Sequence, residues 1–152
     1  MKKIVPFLWY NGQAEEAMLH YLAIFKHSRA GEISRMSPDG PVFSVTFTLE
    51  DQDFYALNGG PQYSFTPAIS LFVSCDRQAE VDELYDGLAA GGSEEPCGWL
   101  KDKFGLSWQI IPTRMGQLLR DKNPAKAQAV MQAMMQMKKI NLAALEAAYA
   151  SA

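Results

Sequence analysis

The chain has 152 residues, of which 48% are apolar and 20% charged, with a formal net charge of −3. That is enough for one domain or two small fused modules of a globular protein. The acidic balance gives no basic footprint for nucleic acid, and no apolar run approaches the roughly 20 residues that span a bilayer.

The opening stretch, MKKIVPFLWY, has two lysines and a short apolar run but no long apolar signal core or small-residue cleavage site. It reads as a first strand rather than a signal peptide. Cys75 and Cys97 are the only cysteines and have no metal-like spacing. With no export signal, a reducing cytoplasm is the expected compartment, and each cysteine reads as a small buried or half-buried residue.

Ile4 to Leu22 and Ile69 to Leu88 resemble each other. Shifted by 65 positions, Phe7 meets Phe72, and Gln13-Ala14-Glu15 meets Gln78-Ala79-Glu80. Each segment predicts strand, turn and helix. The first helix has an apolar stripe of Ala14, Ala17, Met18, Tyr21, Leu22 and Phe25; the second has Val81, Leu84, Tyr85 and Leu88. Both follow the i, i+3, i+4, i+7 spacing of a helix lying on a sheet.

Strands are predicted after each helix. The first half continues with Arg29 to Met36, the turn SPDGP, then VFSVTFTLE with Phe43, Val45, Phe47 and Leu49 on one face and Ser44, Thr46 and Thr48 on the other. A turn at DQD leads into FYALN, which stops at Gly59-Gly60-Pro61. The second half continues with residues 93–101, a turn from Asp102 to Gly105, and LSWQIIP. A duplicated βα-then-strands module follows, with residues 1–62 and 66–112 as the two copies. Residues 113–152 read as a helical extension. It holds a short helix in TRMGQLLRD, a helix N-capped by Asn123-Pro124 with lysines at its far end, and a last helix capped by Asn141. Met131, Met134, Met135 and Met137 read as adaptable packing against the body or a second subunit.

No glycine-rich dinucleotide or phosphate loop, HExxH, GxSxG or Cys/His zinc pattern occurs. His20 and His27 read as structural or solvent-facing. What remains are polar residues that interrupt apolar strands. Asn58 is either a turn former before glycine or a ligand contact. Ser70 shares a face with Phe72, and Gln109 with Ile111 opposite Trp108 and Ile110. Gln109 is either a solvent-facing strand residue or part of a concave site. Trp9, Tyr10, Phe72, Trp99 and Trp108 could wall such a pocket or simply fill a core.

The stretches PFLWYNGQAEEA, ALNGGP, CDRQAEVDELY, CGWLKDKFGLSWQIIP and MMQMKKINLAALEAAY resemble the PhnB-like branch of the vicinal oxygen chelate superfamily, the glyoxalase/bleomycin-resistance/dioxygenase fold. Its members are often labelled 3-demethylubiquinone-9 3-methyltransferase. The resemblance covers essentially the whole chain. It implies an α+β fold of two βαβββ modules forming a curved half-open barrel, usually in a dimer. It also implies that metal ligands, where relatives have them, sit on the first and last strand of each module as His or Glu. The corresponding positions here are Phe7 or Val5, Asn58, Ser70 and Gln109, none of them imidazole or carboxylate.

The expectation is therefore a homodimer that binds a small organic molecule through Trp9, Asn58, Ser70, Phe72, Trp99, Trp108 and Gln109, with no metal, cofactor, nucleic acid or membrane. One alternative is a metal-dependent lyase, isomerase or transferase. It would recruit other ligands, such as Glu50, Asp53, His20, Glu94 or Glu95. The other alternative is the methyltransferase of the family label, for which no Rossmann-like glycine turn is present.

Overall fold

In the computed structural model, which describes residues 1–152, the repeat becomes two βαβββ modules carried by two compact units, Met1–Phe65 and Thr66–Ala152. The first unit contains β1 (Phe7–Tyr10), α1 (Ala14–Ile24), β2 (Ser28–Arg35), β3 (Val42–Leu49) and β4 (Gln52–Asn58). Its sheet has the order β1-β4-β3-β2, with β1 and β4 parallel and the other pairs antiparallel. Ala14, Ala17, Met18 and Tyr21 bury one stripe of α1, as their spacing predicts. The core beneath is built from Leu8, Tyr10, Val45, Phe47, Phe54 and Ala56. Phe47 stacks on Phe54 at 5.2 Å, and the Tyr10 and Tyr21 hydroxyls meet at 3.1 Å.

Two details of this unit differ from the sequence reading. The turn after β3 is not Asp51-Gln52-Asp53 but a two-residue turn at Glu50-Asp51, with φ of 45° and 70°, that pairs Leu49 with Gln52. Such a left-handed pair matches the strand twist of a tight hairpin. Phe43 is exposed although it alternates with buried Val45 and Phe47; it lies at the start of β3, before the stretch that pairs with β4. Thr48 is buried on the polar face, where its hydroxyl donates to Asp53 Oδ1 at 2.8 Å.

The second unit repeats the plan with β5 (Leu71–Cys75), α2 (Gln78–Ala89), β6 (Ser93–Glu94), β7 (Trp99–Lys101) and β8 (Ser107–Pro112), in the order β5-β8-β7-β6. Val81, Leu84, Tyr85 and Leu88 of α2 are buried, matching the predicted stripe.

Three helices follow: α3 (Thr113–Leu119), α4 (Pro124–Met135) and α5 (Leu142–Ser151). They share a core of Met115, Leu118, Val130, Ile140 and Leu145 with Ile111 of β8, so the tail belongs to the second unit. Asn123 Oδ1 caps α4 by accepting from the Ala125 and Lys126 amides, and Asn141 Oδ1 caps α5. The lysines lie beyond α4 rather than at its end. Lys139 instead pairs with Asp86 of α2 at 2.8 Å. The Gln78 side chain holds the segment between α4 and α5. It donates to Ile140 O and accepts from the Leu142 amide. Met134 and Met137 pack on the tail core, whereas Met131 and Met135 are 48% and 59% exposed. No helix is long and apolar enough to cross a membrane.

Candidate functional site

Residues directly opposite one another on neighbouring strands share a face of the sheet. In the second unit, one face presents Leu100, Trp108 and Ile110, all buried. The register sets Phe72 opposite Gln109 on β5–β8, and Trp99 opposite Gln109 on β7–β8. These three side chains therefore form one row across the other face. Just before β5, Ser70 joins them by accepting a hydrogen bond from Gln109 Nε2 at 2.9 Å. Phe72 is 59% exposed, while Ser70, Trp99 and Gln109 are half-buried. Four of the seven residues singled out in the sequence thus meet on one partly open surface.

The chemistry of this row is amphipathic. Gln109 commits one amide proton to Ser70 and keeps its carbonyl oxygen as an acceptor. Ser70 accepts from Gln109 and keeps its own proton to donate. An aromatic side chain stands on either side. A ligand with a flat apolar body and a polar group fits these donors and walls.

Trp108 lies on the opposite face. It is 2% exposed, and its Nε1–H donates to Asp102 Oδ2 at 2.9 Å. Asp102 Oδ1 also accepts from the Phe104 and Leu106 amides. Sequence reading took Asp102 for a turn residue only, since nothing local shows that a strand six residues on returns an indole to it.

Trp9 and Asn58 belong to the first unit. Trp9 is half-buried, donates to Gly60 O at 2.9 Å and meets Tyr63 edge-on at 5.0 Å. A Cβ on Gly59 would fall 2.3 Å from its indole, so only glycine allows this approach. Asn58 Oδ1 accepts from the Ala14 amide at 2.8 Å, and Nδ2 donates to Val42 O at 3.1 Å. It caps α1, whose own N-terminal residue Gln13 offers no side-chain cap. The β-register also revises its place in the repeat. Phe7 faces Tyr55 as Phe72 faces Gln109, so the counterpart of Gln109 is Tyr55, three residues before Asn58. Phe7 and Tyr55 stack at 5.6 Å.

The carboxylates considered as alternative metal ligands are dispersed. Glu50 sits in the hairpin turn. Asp53 accepts from the Lys2 amide and the Thr48 hydroxyl, which together hold its carboxyl below the usual range. Glu94 is on the two-residue β6. No three His, Cys, Asp or Glu side chains are grouped so as to hold a metal ion. Burial, with Glu80 nearby, pushes the Cys75 thiol up to about 12, away from a metal-binding thiolate at neutral pH.

A model of the family described as 3-demethylubiquinone-9 3-methyltransferase matches residues 2–111. No curated protein matches the chain. Among solved structures, a PhnB protein from Bacillus cereus, described by that same methyltransferase name, is 36% identical with a TM-score of 0.67, covering 74% of this chain and 100% of its own. A protein from Pseudomonas aeruginosa is 21% identical with a TM-score of 0.63, covering 74% and 98%. FosX, a fosfomycin resistance protein of Listeria monocytogenes complexed with Mn(II) and a dihydroxypropylphosphonic acid, is 16% identical with a TM-score of 0.53, covering 78% and 99%. A manganese ion takes carboxylate, imidazole or water ligands. The residues that face one another on the parallel strand pairs of this chain are Phe7 with Tyr55 and Phe72 with Gln109, none of them a carboxylate or an imidazole. From the matched stretch and the fully covered Bacillus cereus structure, the chain belongs to the PhnB-like, 3-demethylubiquinone-9 3-methyltransferase family on the glyoxalase/bleomycin resistance/dioxygenase fold.

Proposed function

We propose that this protein binds a small organic molecule on the open face of the second sheet, with Phe72 and Trp99 as apolar walls and the Ser70–Gln109 pair as the polar contact. The observation that carries the reading is the Phe72–Gln109–Trp99 row with its 2.9 Å hydrogen bond to Ser70. In the first unit, the Phe7–Tyr55 stack at the matching positions supports recognition by aromatic and polar groups rather than by a metal ion. The family description names a methyltransferase. The parallel strand pairs are confined to β1–β4 and β5–β8 inside βαβββ modules, so the fold lacks the doubly wound sheet that usually holds a methyl donor.

Native mass spectrometry of protein purified from cells, with elemental analysis of the same sample, tests the reading. The expected result is a non-covalent organic adduct that Gln109→Leu loses. Stoichiometric zinc, nickel, iron or manganese overturns it. Calorimetry with S-adenosylmethionine separates the methyltransferase reading, and the expected heat of binding is nil.

The reading includes a homodimer in the cytoplasm. The exposed Met131 and Met135 on α4 support the first part, and two free cysteines support the second.

A further inference from the structure

The geometry points to a zwitterion as the ligand, its acid met by Lys101 and its amine by Glu95. This inference rests on the binding reading above and adds the charge pattern of the ligand. The register that sets Trp99 opposite Gln109 also places two charged residues on that face. Lys101 is two residues along β7 from Trp99, so the two share a face. Glu95 follows β6 in extended backbone, with φ of −129° and ψ of 164°, and its amide donates to Trp99 O at 3.0 Å. The pairing of Ser93 with Lys101 and of Glu94 with Leu100 therefore runs on to Glu95 opposite Trp99.

Lys101 and Glu95 are both half-buried. Neither side chain has an ion pair or a hydrogen bond within the chain. Lys101 stands opposite Ser93 rather than Glu95, and Trp99 is the neighbour of both charges. The strands give this face no further charge: its other positions are Ser93, Ser107, Gln109, Ile111, Phe72 and Ser74. Ser107 is fully buried and offers a ligand nothing. Ile111 is covered by the tail core. What stays open is the row of Glu95, Trp99, Gln109 and Phe72, with Lys101 beside it.

The two charges decide between ligand classes. A lone anion gains at Lys101 and loses at Glu95, and a lone cation does the reverse. A neutral molecule leaves both charges unused. A molecule carrying an acid and an amine satisfies both, and a charge-assisted hydrogen bond is about twice as strong as a neutral one. Phe72, Trp99 and the Ser70–Gln109 pair then hold its body. The class is an amino acid or related amine-bearing acid with an apolar side chain.

Phenylglycine, benzylamine, phenylacetate and phenylacetamide share one ring and differ in charge. They are titrated against the intact protein at neutral pH and low salt with tryptophan fluorescence as readout. Phenylglycine is expected to bind at least about tenfold more tightly than neutral phenylacetamide, and neither singly charged probe is expected to do so. Lys101→Met is expected to erase the margin and leave benzylamine bound more tightly than phenylacetate. Glu95→Gln is expected to erase it with the opposite order. Lys101→Arg keeps the charge and is expected to keep the margin, which separates a lost charge from a disturbed fold. Equal binding of phenylglycine and phenylacetamide overturns the zwitterion and leaves the binding reading standing. So does a margin that survives Lys101→Met or Glu95→Gln, or one that is lost in Lys101→Arg. If none of the four probes binds, the adduct in the native mass spectrum decides. An adduct with both an amine and an acid upholds the inference, one lacking either overturns the zwitterion alone, and no adduct overturns both readings.

Discussion

Three polar residues on the strands and their turns show how differently polar side chains can be used. Asn58 and Asp102 stitch the backbone together, while Gln109 is half-buried on an open face with its carbonyl oxygen uncommitted. Substitutions separate these roles. Asp102→Ala strands two amides and the Trp108 indole, three buried or half-buried donors. The loss is expected to be about 3 kcal/mol or more, read by urea denaturation. Asn58→Ala removes the cap of α1 and is expected to cost about 1–2 kcal/mol in the same measurement. Gln109→Leu is expected to leave stability within about 1 kcal/mol, because its amide supports no backbone element.

At the scale of elements, α2 and the strands beneath it bury two groups that resist ionisation. Burial pushes the Tyr85 hydroxyl up to about 12, as it does the Cys75 thiol. Tyr85 Oη donates to Trp99 O at 2.9 Å, which joins the helix to the strand carrying Trp99. Both groups are neutral when protonated, and the native state holds the proton more tightly than the unfolded chain. Their contribution is therefore complete below the unfolded values of about 9 and 10 and is lost as pH rises towards about 12. Thermal melts from pH 8 upward are expected to decline across that window. Tyr85→Phe is expected to flatten the decline while costing about 1 kcal/mol at neutral pH through the lost bond to Trp99. The same burial predicts that native protein treated with iodoacetamide is alkylated at half-buried Cys97 and spared at Cys75, which peptide mass spectrometry reads.

At the scale of the whole molecule, the helical tail is structural before it is anything else. Ile111, on the same face of β8 as Gln109, is buried in the tail core with Val130 and Ile140. Gly98 packs so closely on Ile111 and Ile140 that a Cβ there would fall 2.7 Å from Ile111 Cδ1. A chain ending at Pro112 is therefore expected to be insoluble. Removing the tail would expose the second unit's own core, so it cannot serve to test an interface. The dimer is better examined with Met131→Glu and Met135→Lys, which alter exposed positions and leave the tail core intact. Light scattering is expected to show about twice the 16.9 kDa chain mass for the natural protein and the chain mass for the double variant. A natural protein at the chain mass sinks the dimer.

The sequence by itself determined what is periodic or local. The helix stripes of α1 and α2, the caps at Asn123 and Asn141, the strand–helix repeat and the alternation that separates Gln109 from Trp108 were all legible, because each depends on neighbours within a turn or a pleat. The PhnB-like family was legible too, from motifs contiguous in the chain. Strand order and register were decided only in the tertiary structure. Whether Gln109 faces Phe72, Trp99 or neither depends on backbone pairing between residues far apart in the chain, and a shift of one residue would turn every side chain to the other face. For the same reason Asn58 read as a possible ligand contact when it caps a helix 44 positions away.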